Sequence, residues 1–85
     1  MTVEEIFARF DGAYAKSTIR SYQGNFARFS RWCEEAGADP LNVSPAELAR
    51  FIDYLAERCA AATVLHHIAG IGTIYRLSER PPVLD

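Results

Sequence analysis

Apolar positions along this chain recur at helical spacing and nowhere alternate with the period of two that marks a half-buried strand. Four helices follow from that pattern. The first is read over 3–10: Thr2 and Glu5 have the spacing of a capping box, Ile6, Phe7 and Phe10 make a short apolar edge, and Asp11-Gly12 ends it. The second is read over 18–36. Ile19, Tyr22, Phe26, Phe29, Cys33 and Ala36 stand three or four residues apart and line one face, with Ser17 the expected N-cap and Gly37 the expected stop.

A loop over 38–43, carrying Asp39-Pro40 and Asn42, leads to a third helix read over 45–59. Its start is written in Ser44-Pro45-Ala46-Glu47: a capping serine, a proline suited to the first helical position, and a glutamate that reaches back. Leu48, Phe51, Ile52, Leu55 and Cys59 supply its apolar stripe. The fourth helix is read over 63–77, with Thr63 near its start as a candidate cap. Its apolar set is Val64, Leu65, Ile68, Ile71, Ile74, Tyr75 and Leu77. Thr63, His66, His67, Gly70 and Thr73 form the polar edge between them, and Pro81-Pro82 forbids continuation. The expected fold class is all-α: a compact bundle of four main helices joined by short loops.

Eighty-five residues hold one small domain, 1–85, divisible into an N-terminal helix and linker over 1–16 and a helical core over 17–80. A hydrophobic share of 49% excludes disorder, and no apolar run approaches the ~18–20 residues of a membrane span. The opening MTVEEIFARF carries acids where an export signal carries Lys or Arg, so a cytoplasmic setting of bacterial or phage type is expected. Cys33 and Cys59 fall at apolar positions and read as reduced core thiols. Adjacent histidines on a helix point about 100° apart, so His66 and His67 with two cysteines do not make a ligand set; no metal, cofactor or small-molecule substrate is expected. No paired carboxylates, phosphate loop or nucleophile–base pair suggests an enzyme.

The net charge of −2 argues against indiscriminate nucleic-acid binding, but its distribution is uneven. Lys16, Arg20, Arg28 and Arg31 follow one another with no acid between them, six acids against one base run from Glu34 to Glu57, and bases again prevail from Arg58 to Arg80. On a helical projection Arg20, Gly24, Ala27 and Arg31 fall within roughly 60° of one another, opposite the apolar stripe, with Ser21 and Arg28 at the flanks. This face is either simply solvated or presented to a partner. Glycine inside an exposed helix costs about 1 kcal/mol against alanine; close approach of a phosphate backbone to Gly24 or contact with another protein element are the compensations to weigh. His66 and His67 are further donors to phosphates or base edges, unless they are surface or packing residues.

The order Ser17-Thr18-Ile19-Arg20-Ser21-Tyr22, Phe26, Phe29, Trp32-Cys33, Ser44-Pro45, Tyr54-Leu55-Ala56, Thr63-Val64, His67-Ile68, Ile71, Tyr75-Arg76 and Pro81-Pro82 resembles the N-terminal core-binding domain of tyrosine recombinases (phage integrases), nearest the Cre-like branch. The resemblance implies a SAM-like helical domain forming half of a clamp around double-stranded DNA, with 81–85 opening the linker to a catalytic domain. The helices matching 18–36 and 63–77 would cross the major groove of a recombination half-site. Carried over by position, the DNA-facing residues are Ser17, Thr18, Arg20, Ser21, Gly24 and Arg28, then Ala62, Thr63, His66, His67 and Gly70. Ala62 stands where relatives often carry a base, and Leu65 where they often carry a polar residue. The family's first helix often contacts other recombinase protomers in a synaptic tetramer; Thr2–Phe10 matches poorly, and its apolar edge suits a fold back onto the core as well. The tyrosine nucleophile and its Arg and His partners belong to the family's C-terminal domain, so no catalysis is expected here. Tyr22 and Tyr75 lie on core faces, and Tyr14 and Tyr54 have no basic constellation in the sequence. The competing reading is a small helical protein–protein interaction domain without DNA binding, working through Glu47, Asp53, Glu57 and exposed aromatics.

Overall fold

The longest apolar stripe becomes the longest helix. In the computed structural model, which describes residues 3–9, 12 and 14–78, α1 is Val3–Ala8, α2 Lys16–Ala36, α3 Pro45–Ala56 and α4 Ala61–Leu77. The architecture is the all-α four-helix bundle the periodicity predicts. Thr2, Phe10, Asp11 and Pro81-Pro82 lie outside the described residues.

The sharpest local signals hold. Gly37 adopts the left-handed conformation (φ 75°) and closes α2: its N–H donates to the Glu34 carbonyl and the Ala38 N–H to the Cys33 carbonyl, the paired bonds of a Schellman stop. Ser44 and Glu47 form the expected box, Ser44 Oγ accepting from the Glu47 N–H at 3.1 Å and Glu47 Oε1 from the Ser44 N–H at 2.9 Å.

Four boundaries differ. Helix α1 stops at Ala8 rather than 10, the Arg9 N–H turning back three residues to the Ile6 carbonyl. Ser17 is not the N-cap of α2; the helix starts at Lys16 after an extended Ala15 that offers no side-chain bond. Packing fixes this start, since the Tyr14 ring meets Tyr22 edge-on at 6.3 Å and the Ile19 N–H closes the first turn on the Ala15 carbonyl. Thr63 likewise does not cap α4, which starts at Ala61 after Ala60, again without a side-chain bond. And α3 stops at Ala56 rather than 59, because the Arg58 N–H turns back three residues to the Leu55 carbonyl and swings the chain towards α4.

The core is aromatic. Phe29 of α2 and Phe51 of α3 lie 4.8 Å apart at its centre, with Phe26 beside Phe29 and Trp32 beside Phe51. Phe29, Phe51, Ile6, Leu55 and Cys33 are wholly buried. Ile6 and Phe7 fold back onto the core, Phe7 meeting Phe26 edge-on at 6.3 Å. Arg9 then donates to the Leu77 carbonyl at 2.8 Å, satisfying one of the end carbonyls of α4. Helix α4 packs against all three of the others. Its Tyr75 hydroxyl donates to the Pro40 carbonyl at 2.8 Å and accepts from the Val43 N–H at 3.0 Å, which pins the α2–α3 loop. Burial, helped by the charges of Glu47 and Asp39, pushes the Cys33 thiol up to about 11. Both cysteines are free; Cys59 is only half-buried.

Candidate nucleic-acid interface

Helices α2 and α4 run in opposite directions. Arg76, near the end of α4, donates to the Tyr14 hydroxyl just before α2; Tyr22 lies against Gly70 and, ring to ring at 5.5 Å, against His66; Arg28 reaches Cys59, just before α4. Each contact steps forward along α2 and backward along α4.

On α2, Ser17, Arg20, Ser21, Gly24, Ala27 and Arg31 are exposed, as the projection expects, and Thr18 is half-buried. A Cβ added to Gly24 would meet nothing within 4 Å, so no contact inside the domain calls for glycine there. Arg28 is half-buried. Its guanidinium donates to Cys59 Sγ at 3.6 Å and lies 5.9 Å from the Tyr54 ring, while Arg58 covers the same ring at 4.0 Å and donates to the Tyr54 carbonyl. Two cations therefore gather beside the start of α4. Tyr54 thus has basic neighbours that sequence spacing did not reveal, although they stack on its ring. Only the 58-to-54 spacing, one helical turn, could have signalled this.

On α4 the predicted edge is corrected. Ala62, Thr63 and His66 are exposed, but His67 is 4% exposed, Thr73 7%, and Gly70 is buried. His67 stacks edge-on to Phe51, and its Nδ1–H donates to the Thr63 carbonyl at 2.9 Å. That leaves Nε2 buried without a hydrogen-bond partner among the described residues. The Thr73 hydroxyl is likewise absorbed by the Ala69 carbonyl. Gly70 lies under Tyr22: a Cβ there would stand 3.1 Å from the ring. Leu65 departs in the opposite sense, for it belongs to the predicted apolar set yet is 65% exposed. The reason is angular. Val64, His67, Ile71 and Ile74 make the inward stripe with the 3–4–3 spacing, and Leu65 sits on the far side of the wheel.

Elsewhere, α1 and α2 flank a depression of about 370 Å³ lined by Phe7, Ala8, Lys16, Ile19, Arg20 and Gln23, with no nucleophile–base pair in it. On α3, Asp53 and Glu57 are exposed and Glu47 is tied into the cap. No Phe, Tyr or Trp is exposed among the described residues, so the aromatic surface suggested for a protein partner does not form there. Among the same residues no three His, Cys, Asp or Glu side chains gather into a group that could hold a metal ion, and no helix is long and apolar enough to cross a membrane.

Residues 6–83 match the family described as phage integrase, N-terminal SAM-like domain. The chain belongs to that family. It is also 30% identical over 63 residues, 74% of its length, to an integrase/recombinase xerD homolog of Selenomonas ruminantium, and it spans 18% of that relative. No solved structure matches. The recombinase-family resemblance read from the sequence is thereby established at the level of the family, and with it the domain's place outside the part that carries the family's catalytic residues.

Proposed function

We propose that this chain is the DNA-binding N-terminal domain of a site-specific tyrosine recombinase, gripping a half-site through α2 and α4 in the major groove and contributing no catalysis itself. The observation that carries the reading, beside family membership, is the antiparallel α2–α4 pair. Its outer side joins Ser17, Ser21, Gly24 and Arg28, which share an arc of roughly 60° on α2, to Ala62 and His66 on α4, with Arg20 and Arg31 behind them. Both helices begin without a side-chain cap, leaving first-turn N–H groups for an outside acceptor at opposite ends of the pair. Arg28 stands beside the α4 start and adds positive charge, and Arg58 beside it is shared with Glu57 at 3.6 Å. Ser17, Thr18, Arg20, Ser21, Gly24, Arg28, Ala62, Thr63 and His66 are the contacts we assign; His67 and Gly70 serve the helix pair from inside.

The Cre-like branch is our assignment from the residue order. The same reading makes 81–85 the start of a linker to a catalytic domain, the setting cytoplasmic and DNA-associated, and other recombinase protomers in a synaptic tetramer the further partners. An interface of three to five phosphate contacts gives a log–log salt slope of roughly −3 to −4.5. The test is an amide NMR titration with a short duplex at low and then high salt. Shifts over 17–28 and 62–66 that salt abolishes are expected. A spectrum unmoved at low salt and high duplex concentration would refute the reading.

A further inference from the structure

We propose that Leu65 reads the C5-methyl group of thymine, giving the domain a preference for A·T steps at the point where α4 enters the groove. The inference rests on the duplex reading above. Leu65 is 65% exposed, whereas the other large aliphatic and aromatic side chains among the described residues are buried or half-buried. It is not one of several scattered apolar groups. Ala62, Leu65, Ala69, Gly72 and Arg76 share an outer arc of roughly 80° on α4, and all are exposed. Leu65 is therefore a single pair of methyl groups standing above alanines and a glycine.

That face has a second property. From Ala61 to Tyr75 the helix carries no Lys, Arg, Asp or Glu. Over this length α4 has no side-chain cation to hold phosphate and no carboxylate to be repelled by it. The cations that could meet phosphate sit elsewhere, on Arg20, Arg28 and Arg31 of α2. Small side chains let the α4 backbone lie deep; from Ala62 to Gly72 the group reaching furthest on this arc is aliphatic, and Arg76 beyond it turns to the Tyr14 hydroxyl. The floor of the major groove offers such a group one complement: of the four bases only thymine presents a methyl there, the other edges being hydrogen-bonding donors and acceptors. Against guanine or cytosine the same isobutyl group would desolvate polar edges without pairing them.

Uracil differs from thymine by this one methyl, so the probe is a short alternating A·T duplex and its counterpart with every thymine replaced by uracil. Binding is measured by fluorescence anisotropy at low salt, for wild type, Leu65→Ser and Arg20→Ala. The wild type is expected to favour the thymine duplex by about fourfold for one buried methyl contact. Leu65→Ser, at an exposed site, is expected to keep its helical spectrum and bind both duplexes alike. Arg20→Ala is expected to weaken both equally and keep the ratio. Equal wild-type affinity for the two duplexes, or a thymine preference that survives Leu65→Ser, overturns the proposal and leaves the duplex reading standing. No binding to either duplex overturns both. Equal affinities accompanied by self-association that Leu65→Ser abolishes assign the exposed leucine to a second copy of the chain instead.

Discussion

Helix α3 finishes its own business and α4 does not. Both bury one face in the same core, Leu48, Phe51 and Leu55 from α3 and Val64, Ile71, Ile74 and Tyr75 from α4, yet they treat their polar groups differently. At the start of α3, Ser44 and Glu47 exchange hydrogen bonds, Pro45 removes one donor, and the adjoining surface is acidic. At the start of α4, Ala60 offers no side-chain acceptor, no acid stands in the first turn, Arg28 lies close by, and Arg58 is there too, paired with Glu57 at 3.6 Å. Helix α2 opens in the same way, after Ala15. A helix end that satisfies its own donors and surrounds itself with carboxylates has little to offer an anion. One that leaves its donors open among cations is prepared for one. On the proposed reading, the division between α3 and the α2–α4 pair is the division between the faces that turn away from and towards a phosphate backbone.

The comparison can be broken at two of the helical glycines, Gly70 and Gly24, where the largest effect is expected. Gly70→Val forces methyl groups against the Tyr22 ring and prises α2 from α4, so thermal or urea unfolding should show a loss of about 1–3 kcal/mol. Gly24→Ala, in open space, should do the reverse, gaining up to about 1 kcal/mol of stability; if Gly24 admits a phosphate backbone, the same variant weakens duplex binding. A stabilised Gly24→Ala with unchanged affinity removes Gly24 from the interface.

Two serines sharpen the contrast at a smaller scale. Ser44→Ala should cost about 1 kcal/mol in denaturant unfolding, since it strips the α3 cap, and should leave duplex affinity as it was. Ser17→Ala should leave stability nearly unchanged, because Ser17 caps nothing, and should lower affinity at low salt. Equal stability losses for the two would mean that the α2 start depends on Ser17 after all.

A further effect concerns pH. The folded Cys33 thiol is pushed up to about 11 from an ordinary 9.0, so between those values the unfolded chain gives up a proton that the folded one keeps. Its contribution to stability is complete below pH 9 and declines as pH rises towards 11. The stability gap between wild type and Cys33→Ala, followed by urea unfolding from pH 8 to pH 10, should therefore narrow.

How much of this was legible in the sequence depended on where the determining contact lay. The four helices, the α3 box and the Gly37 stop are local chemistry, written within a turn of where they act, and they were read correctly. The starts at Lys16 and Ala61 were read late because alanine before a helix carries no signature; what fixes them is tertiary, Tyr14 against Tyr22 in the first case. The α4 face was misread because three helices pack around it. With Phe51 on one side and Tyr22 on another, His67, Gly70 and Thr73 are drawn inward despite their polarity or small size. Leu65, one step round the wheel, is left outside. Hydrophobicity alone gives one stripe per helix, whereas the central helix of a bundle buries more than one. Arg28 on Cys59 was invisible for the same reason, since it depends on how α2 and the 57–60 turn meet, whereas Arg58 over Tyr54 had only its one-turn spacing to signal it.

The Tyr75 hydroxyl, donating to Pro40 and accepting from Val43, gives the α2–α3 connection an unusual standing. A surface loop normally fluctuates on its own account, opening and closing while the helices stay put. Here the loop's buried Val43 amide answers to a ring rooted in the middle of the bundle, 32 residues further along the chain. Opening the connection means extracting that ring, and extracting the ring means loosening the helix that touches all the others. Loop and core consequently share one fate, and the α3 surface is carried as a rigid extension of α4 rather than as a flap beside it.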